Sequence, residues 1–378
     1  MGEGLSILIT AADVSGDAHA AGLIQALRRR APTARFVGVG GEKMAAAGCD
    51  LLERPADRSA MLLGGTVAQL AYYHKLIGRV RRAIREKRPA VHVPVDSPAL
   101  NWHLAAAAKK AGAPVVYYIA PQVWAWAPWR VGKLRRLTDA VACILPFEQP
   151  YLRSRGVNAR YVGHPLFDRM PPANPPDLDE PAASGRWRIA LLAGSRQGEI
   201  RGHAPALAAV ADGLARKFPD AELTFLAPDE QAAEWIRAAA NRSDLHIVAG
   251  RTQEALARAH FAVTKSGTVT LEAAHFGVPM AVFYRVNRLG YNLLGRWLLR
   301  TPNVALVNIL AGRELAPELV PWYGDAGPLL RQAERMLADV EGLKRLRREL
   351  MALVAPLRTA PPATAADNAA QLVLAAVG

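Results

Sequence analysis

Apolar residues fall along this chain in short runs of four to six positions, and between those runs they recur at the three-to-four-residue spacing of helices. Ser6 to Thr10 is the first run, and the loop Ala11 to Asp17 leads from it into an amphipathic helix over Ala18 to Arg30. Ala34 to Val39 is a second strand, Lys43 to Ala47 a helical turn, and Val91 to Val95 a strand followed by a helix over Asn101 to Lys110. Val115 to Ile119 and Ala140 to Ile144 continue the alternation. Strands alternating with helices at this spacing predict a mostly parallel, doubly wound α/β sheet.

From Met170 to Gly185 the pattern lapses into a proline-rich stretch without apolar periodicity, which predicts an extended linker excluded from either core. A second alternation follows: strands at Ile189 to Leu192, Leu223 to Leu226, Leu245 to Val248, Phe261 to Thr264 and Met280 to Tyr284, with helices near Pro205 to Lys217 and Gln231 to Asn241. The expected organisation is a first Rossmann-like domain over 1–169, a linker over 170–185, a second such domain over 186–350, and a helical tail over 351–378. Within the tail, Thr364 is placed to cap a helix that packs on the first domain or on a partner subunit. The two sheets are expected to face each other across a cleft.

A length of 378 residues suits two domains with buried cores, and 51% hydrophobic with 21% charged residues is a globular composition. No apolar run approaches the roughly 18 residues needed to cross a bilayer, and Met1 to Ser6 carries no signal pattern, so a cytoplasmic protein is expected. Cys49 and Cys143 read as small buried apolar residues, with neither disulfide nor metal spacing. Lysines and arginines number 47 against 33 acids, and the net charge of +14 favours an anionic partner. Nucleic acid is disfavoured, because aromatic residues are sparse where the basic charge is dense. That density lies at Lys75, Arg79, Arg81, Arg82, Arg85, Lys87 and Arg88, directly after apolar Met61, Leu62, Leu63, Leu70, Tyr72 and Tyr73. An apolar patch running into a basic helix suits a protein resting on anionic lipid headgroups, the competing reading being a solvated helix face beside a core contact.

Small residues and glycines cluster where a phosphate would want them. After the strand Ile189 to Leu192, Gly194 and Ser195 form a turn in which backbone amides can approach an anion, and Arg196 can grip a diphosphate bidentately. After Phe261 to Thr264 comes a similar turn, Ser266-Gly267-Thr268, with Glu272 one helical turn on, placed to accept from ribose hydroxyls. Two such loops at the carboxyl ends of parallel strands point to a nucleotide diphosphate site, and neither matches a P-loop or GxGxxG. In the first half, Asp96 ends a buried strand, where a carboxylate can take a proton from an attacking hydroxyl; a turn-forming or capping role is its alternative. Asp13, Ser15, Gly16 and Asp17 fill the first strand-to-helix loop and can orient an acceptor or cap the helix. His19 and His164 lack metal spacing, and the Asp177-Leu178-Asp179 triplet sits in the linker, so no metal is expected.

Taken in order, SGDAHAAGLIQAL (15–27), FVGVGGEKMAAAG (36–48), Asp96-x-Pro98-x-x-Asn101, PQVWAWAPWRV (121–131), LPFE (145–148), VGHPLFD (162–168), GSRQGEI (194–200), SGTVTLEA (266–273) and NILAGRELAPELV (308–320) resemble the lipid-A-disaccharide synthase family from end to end. The resemblance implies a GT-B fold and an inverting, metal-free and cofactor-free transfer from UDP-2,3-diacylglucosamine to 2,3-diacylglucosamine 1-phosphate (lipid X), releasing UDP. By motif it makes Asp96 the base and Arg196 the phosphate-side arginine. Asn308, Arg313, Glu314 and Glu318 fall on the nucleotide side with Ser266, Gly267, Thr268 and Glu272, and Asn101 falls on the acceptor side. The segment 61–88 corresponds to a surface docked on the cytoplasmic face of the inner membrane; a homodimer is left open. Departures fall on the acceptor side: Asp13 stands where the family has glutamate, Ala99 replaces a second aspartate after Asp96, and the glutamate of an MGxxEVL segment is missing from 61–67. These keep three alternatives in play: a related GT-B enzyme with another lipid acceptor or UDP-sugar, a UDP-sugar epimerase, and a catalytically silent binding homologue.

Overall fold

The computed structural model describes residues 4–55, 66–126, 128–285, 302–360 and 362–378. The chain divides into two units, Met1–Arg169 together with Leu357–Gly378, and Met170–Pro356.

The first unit is a parallel sheet. Strands β1 (Ser6–Thr10), β2 (Arg35–Val39), β3 (Asp50–Glu53) and β4 (Val91–Pro94) pair in the order β3-β2-β1-β4, and β5 (Val116–Tyr118), β6 (Ala140–Cys143) and β7 (Ala159–Tyr161) form a second ladder. Parallel bridges His92↔Val115 and Val95↔Tyr118 join the two ladders between β4 and β5. Both faces are covered, which is why β1 reads as an unbroken apolar run. Ile7 and Ile9 pack with Leu23, Ile24 and Leu27 of the helix Val14–Arg30, whereas Leu8 packs with Leu76, Val80 and Ile84 of the helix Thr66–Lys87. Each such side chain contributes about 1.5–3 kcal/mol by leaving water.

Two boundaries differ from the sequence expectation for identifiable reasons. The first helix begins at Val14 rather than Ala18, because the Asp13 carboxylate accepts from the Gly16 N–H at 2.7 Å and supplies the cap. The return to the first unit falls after Pro356, not at 350/351, because the helix Val340–Val354 buries Leu343, Leu346, Leu350 and Val354. The last helix, Ala365–Ala375, starts with a capping box between Thr364 and Asp367 and lays Ala369, Ala370 and Val373 into the first unit's core.

The second unit carries β8 (Arg188–Leu192), β9 (Glu222–Ala227), β10 (Ile247–Ala249), β11 (Phe261–Lys265), β12 (Met280–Arg285) and β13 (Glu318–Trp322), all parallel, in the order β10-β9-β8-β11-β12-β13. The stretch expected as an extended linker is partly built into this unit: Leu178 is buried in its core and Asp179–Ser184 is helical. Asp177 starts that helix by accepting from the N–H groups of Asp179 (2.9 Å) and Glu180 (3.0 Å), so its carboxylate serves as a cap. Arg347 donates to the Pro176 and Gly277 carbonyls and holds the segment down.

Strand order reverses once in each sheet, between β1 and β4 and between β8 and β11. At such a reversal the loops leave the two central strands in opposite directions and open a crevice at their carboxyl ends. The loops so placed are those at Ala11–Asp13, Asp96–Ser97, Ala193–Arg196 and Ser266–Thr268.

Candidate active site

In the first unit the site is built around a strained turn. Asp96 and Ser97 follow β4 with φ of 46° and 47°, left-handed values that cost a non-glycine residue on the order of 1–3 kcal/mol each. Main-chain and side-chain bonds hold the turn. The Asp96 N–H donates to the Tyr118 carbonyl at 3.1 Å, and the Asp96 carbonyl accepts from the Tyr117 hydroxyl at 2.8 Å and the Asn101 carboxamide at 2.7 Å. Ser97 Oγ accepts from the Ala12 N–H (3.1 Å) and donates to Asp13 Oδ2 (2.9 Å), stitching the β1 and β4 loops together. The Asp96 residue itself is half-buried, and burial together with its negative charge raises the Tyr117 phenol, which therefore stays a donor.

Several residues expected on the acceptor side are engaged by the protein's own groups. Asn101 has no exposed surface and spends its carboxamide on Thr10 and on the carbonyls of Thr10, Val95 and Asp96, so it supports the turn from beneath. Asp17 is buried and accepts from the N–H groups of Gly41, Lys43 and Met44, capping the helix Glu42–Ala46 from outside. Gly16 is buried where a Cβ would meet Ala11, Asp13 and the Val95 carbonyl at 3.2–3.5 Å, so the helix start can approach β1 and β4 only without a side chain. Ser15 remains exposed, 3.4 Å from His19 Nε2. Burial lowers His19, helped by Arg169 and Lys43 against Asp13, and takes His164 down to about 4.

In the second unit the loops after the neighbouring strands β8 and β11 are joined by an ion pair that motif reading passed over. Lys265 Nζ lies 3.2 Å from Glu199 Oε1, and both side chains are largely buried. Glu199 also accepts from the Ser195 N–H at 3.4 Å and lies 3.6 Å from Arg196. Burial pushes its carboxyl up, but Lys265, the Ser195 N–H and Arg196 outweigh this and hold it below the ordinary range. Gly194 has φ +117°, and a Cβ there would stand 2.6 Å from Glu199 Oε2, so only glycine lets the carboxylate fold over the turn. The signal was present in the sequence as a glutamate three positions into a helix beside a strand-terminal lysine. Arg196 projects with 83% of its side chain exposed, and Ser195 and Thr268 are also exposed. Glu272 is half-buried, and burial raises its carboxyl.

The remaining expected nucleotide-side residues divide. Ser266 is buried and donates to the Val304 carbonyl at 3.0 Å. Asn308, with no exposed surface, donates to the Ala316 carbonyl and Glu318 and accepts from the N–H groups of Leu315 and Ala316. Glu318 in turn accepts from the N–H groups of Val304 and Ala305. Asn308, Glu318 and Ser266 thus brace the β11 and β13 loops rather than reach outward. Glu314 accepts from the Glu318 N–H, and Arg313 pairs with Glu349. Of the surface expected to meet lipid, Met61, Leu62 and Leu63 lie outside the described residues. Lys75, Arg79 and Arg82 are exposed, with Arg79 paired to Glu53, while Tyr72 and Tyr73 are half-buried on the inward side of their helix beside Leu76 and Val80. An inward aromatic pair follows from helical spacing, since positions 72, 73, 76 and 80 share one face.

The model of lipid-A-disaccharide synthetase matches residues 7–354, which includes every loop described above. This chain belongs to the lipid-A-disaccharide synthase family. Curated members include that of Anaeromyxobacter sp. (strain K), 40% identical over 93% of this chain and 91% of its own, and that of Syntrophus aciditrophicus, 36% identical over 91% and 93%. Among solved structures, an S. aureus MnaA–UDP co-structure superposes with a TM-score of 0.62 over 98% of this chain and 95% of its own, at 12% identity. CalG4, the calicheamicin glycosyltransferase, gives 0.54 over 94% and 96% at 16% identity. At such identities the likeness establishes the fold alone, GT-B.

Proposed function

We propose that this protein is the glycosyltransferase that joins UDP-2,3-diacylglucosamine to lipid X, forming the β-1,6-linked disaccharide 1-phosphate of lipid A and releasing UDP. The observation that carries the reading is the family match across both units, with Asp96 and Arg196 standing at the two strand-order reversals. Asp96 takes the proton of the acceptor's primary hydroxyl as that oxygen attacks the donor's anomeric carbon, and the glycosidic oxygen leaves with UDP. Arg196, whose guanidinium is largely solvent-facing, and Lys265, released from Glu199, neutralise the diphosphate charge that grows on departure. Thr268 and Glu272 border the nucleotide. The exposed cations Lys75, Arg79 and Arg82 hold the protein against anionic headgroups on the cytoplasmic face of the inner membrane. Among the described residues no helix is long and apolar enough to cross a membrane.

The test is incubation of the purified protein with both diacylated sugars and mass analysis of the lipid product. Formation of the disaccharide 1-phosphate with stoichiometric UDP supports the proposal; a 2-epimerised UDP-sugar made without acceptor, or no product, rejects it. In the same assay Asp96→Asn loses roughly 10²-fold or more in turnover if general-base transfer operates.

A further inference from the structure

Beneath the Asp96–Ser97 turn runs a line of polar side chains that the transfer chemistry does not touch. His92 in β4, Thr10 at the end of β1 and Asn101 in the helix Pro98–Lys110 all have no exposed surface, although they sit within apolar neighbours. His92 Nε2 lies 2.9 Å from Thr10 Oγ1, and Thr10 Oγ1 lies 2.7 Å from Asn101 Oδ1. The Asn101 nitrogen faces three carbonyls, those of Thr10 (3.2 Å), Val95 (3.2 Å) and Asp96 (2.7 Å).

Counting protons gives this line a direction. The three carbonyls require the amide nitrogen of Asn101 to face them, so Oδ1 faces Thr10 and can only accept. The Thr10 hydroxyl hydrogen is spent there, and Thr10 Oγ1 must accept from His92, whose Nε2 therefore carries the hydrogen. His92 Nδ1 is then bare, and it has no hydrogen-bond partner among the described residues. A second proton on it would be a buried donor with nothing to bond, consistent with burial taking the ring's pKa down to about 3. Three desolvated polar groups are costly where apolar ones would pack, and outside β1 and β4 the line ends on the Asp96 turn.

We infer that His92, Thr10 and Asn101 are positioning residues, a one-way hydrogen-bond chain that grips the main-chain carbonyl of Asp96 and so aims its carboxylate at the acceptor hydroxyl. The inference rests on the reading of Asp96 as the base. Removing the hydroxyl of Thr10 breaks both links at once with almost no change of volume, and Thr10→Ser restores it.

The experiment compares Thr10→Val, Thr10→Ser and Asp96→Asn by kcat and KM for UDP release, each at a temperature where circular dichroism shows it fully folded. Thr10→Val loses at least about tenfold in kcat per folded molecule with the donor KM within about twofold, and Thr10→Ser recovers most of the loss. A threonine that only stabilised the fold would lower the melting temperature and leave kcat per folded molecule alone. Thr10→Val with wild-type kcat beside an inactive Asp96→Asn overturns the chain and leaves the base standing. Near-normal turnover in Asp96→Asn removes the base, and the chain with it. Should Thr10→Val not fold, ¹⁵N-histidine NMR of the unaltered protein decides the chain's direction: His92 stays neutral with its hydrogen on Nε2 across about pH 5 to 8, and an Nδ1–H ring or a titrating one overturns it.

Discussion

Replacing Asp17 by alanine separates a ligand-binding role for the first loop from a scaffolding one. The carboxylate is 4% exposed and accepts from three main-chain N–H groups, Gly41 at 2.7 Å and Lys43 and Met44 at 3.1 Å. Lys43 is exposed, so water can replace its partner; Gly41 and Met44 are buried and are left with unmet donors. Two unmet buried donors at about 1–3 kcal/mol each give a loss of about 2–5 kcal/mol after partial relaxation. For a unit of this size each kcal/mol moves the midpoint by about 2–4 °C, so the first-unit transition falls by roughly 4–20 °C. Thermal unfolding followed by circular dichroism, with the acceptor KM measured on the folded variant, is the assay. A midpoint within about 2 °C of the parent together with a raised acceptor KM would refute the scaffolding argument and return Asp17 to the acceptor.

Two further outcomes follow from buried polar groups. Asn308→Ala strands the Leu315 and Ala316 N–H groups and the Ala316 carbonyl and removes a donor from Glu318, a loss of about 3–6 kcal/mol that urea unfolding of the second unit should register without a change in acceptor KM. His164 has its pKa depressed from 6.5 to about 4 by burial, so the unfolded chain binds the extra proton first as pH falls below 6.5. Its stability contribution is full above 6.5 and declines by about 1.4 kcal/mol per pH unit down to about 4. His164→Gln should therefore show a shallower loss of unfolding free energy between pH 7 and pH 5 than the parent, and parallel curves would reject the assignment.

The strands were legible because a parallel sheet covered on both faces needs runs of apolar residues, and β1, β8 and β11 differ from the expected spans by at most a residue at either end. Short elements were not. β3, β7 and the helix Glu148–Arg153 carry three to six residues each, too few for a period to show, and their places are set by tertiary bonds. One such bond is the buried Glu148 carboxylate, which gathers the N–H groups of Ile144, Leu145 and the Trp124 indole. The proline-rich stretch showed no period for a related reason: Leu178 is its one member of the second unit's core cluster, and the bond from Arg347 to the Pro176 carbonyl leaves no trace in the pattern.

The site shows where motif reading stops. A polar residue beside a strand end can bind a ligand or hold the loop that binds it, and both uses give the same letters in the sequence. Burial divides them here: Asn101, Asp17, Ser266 and Asn308 are buried and bonded to the protein's own groups, whereas Arg196 and Thr268 face solvent and Asp96 and Glu272 are only half-buried. Two of the buried set lie against the other, Asn101 beneath Asp96 and Ser266 next to Gly267 and Thr268. A left-handed Asp96–Ser97 turn cannot persist on its own torsional preference, so the residues that outweigh its strain are as necessary to a positioned carboxylate as the aspartate itself. This is why the motif extends inward from the loop to Asn101, whose carboxamide holds the Asp96 carbonyl.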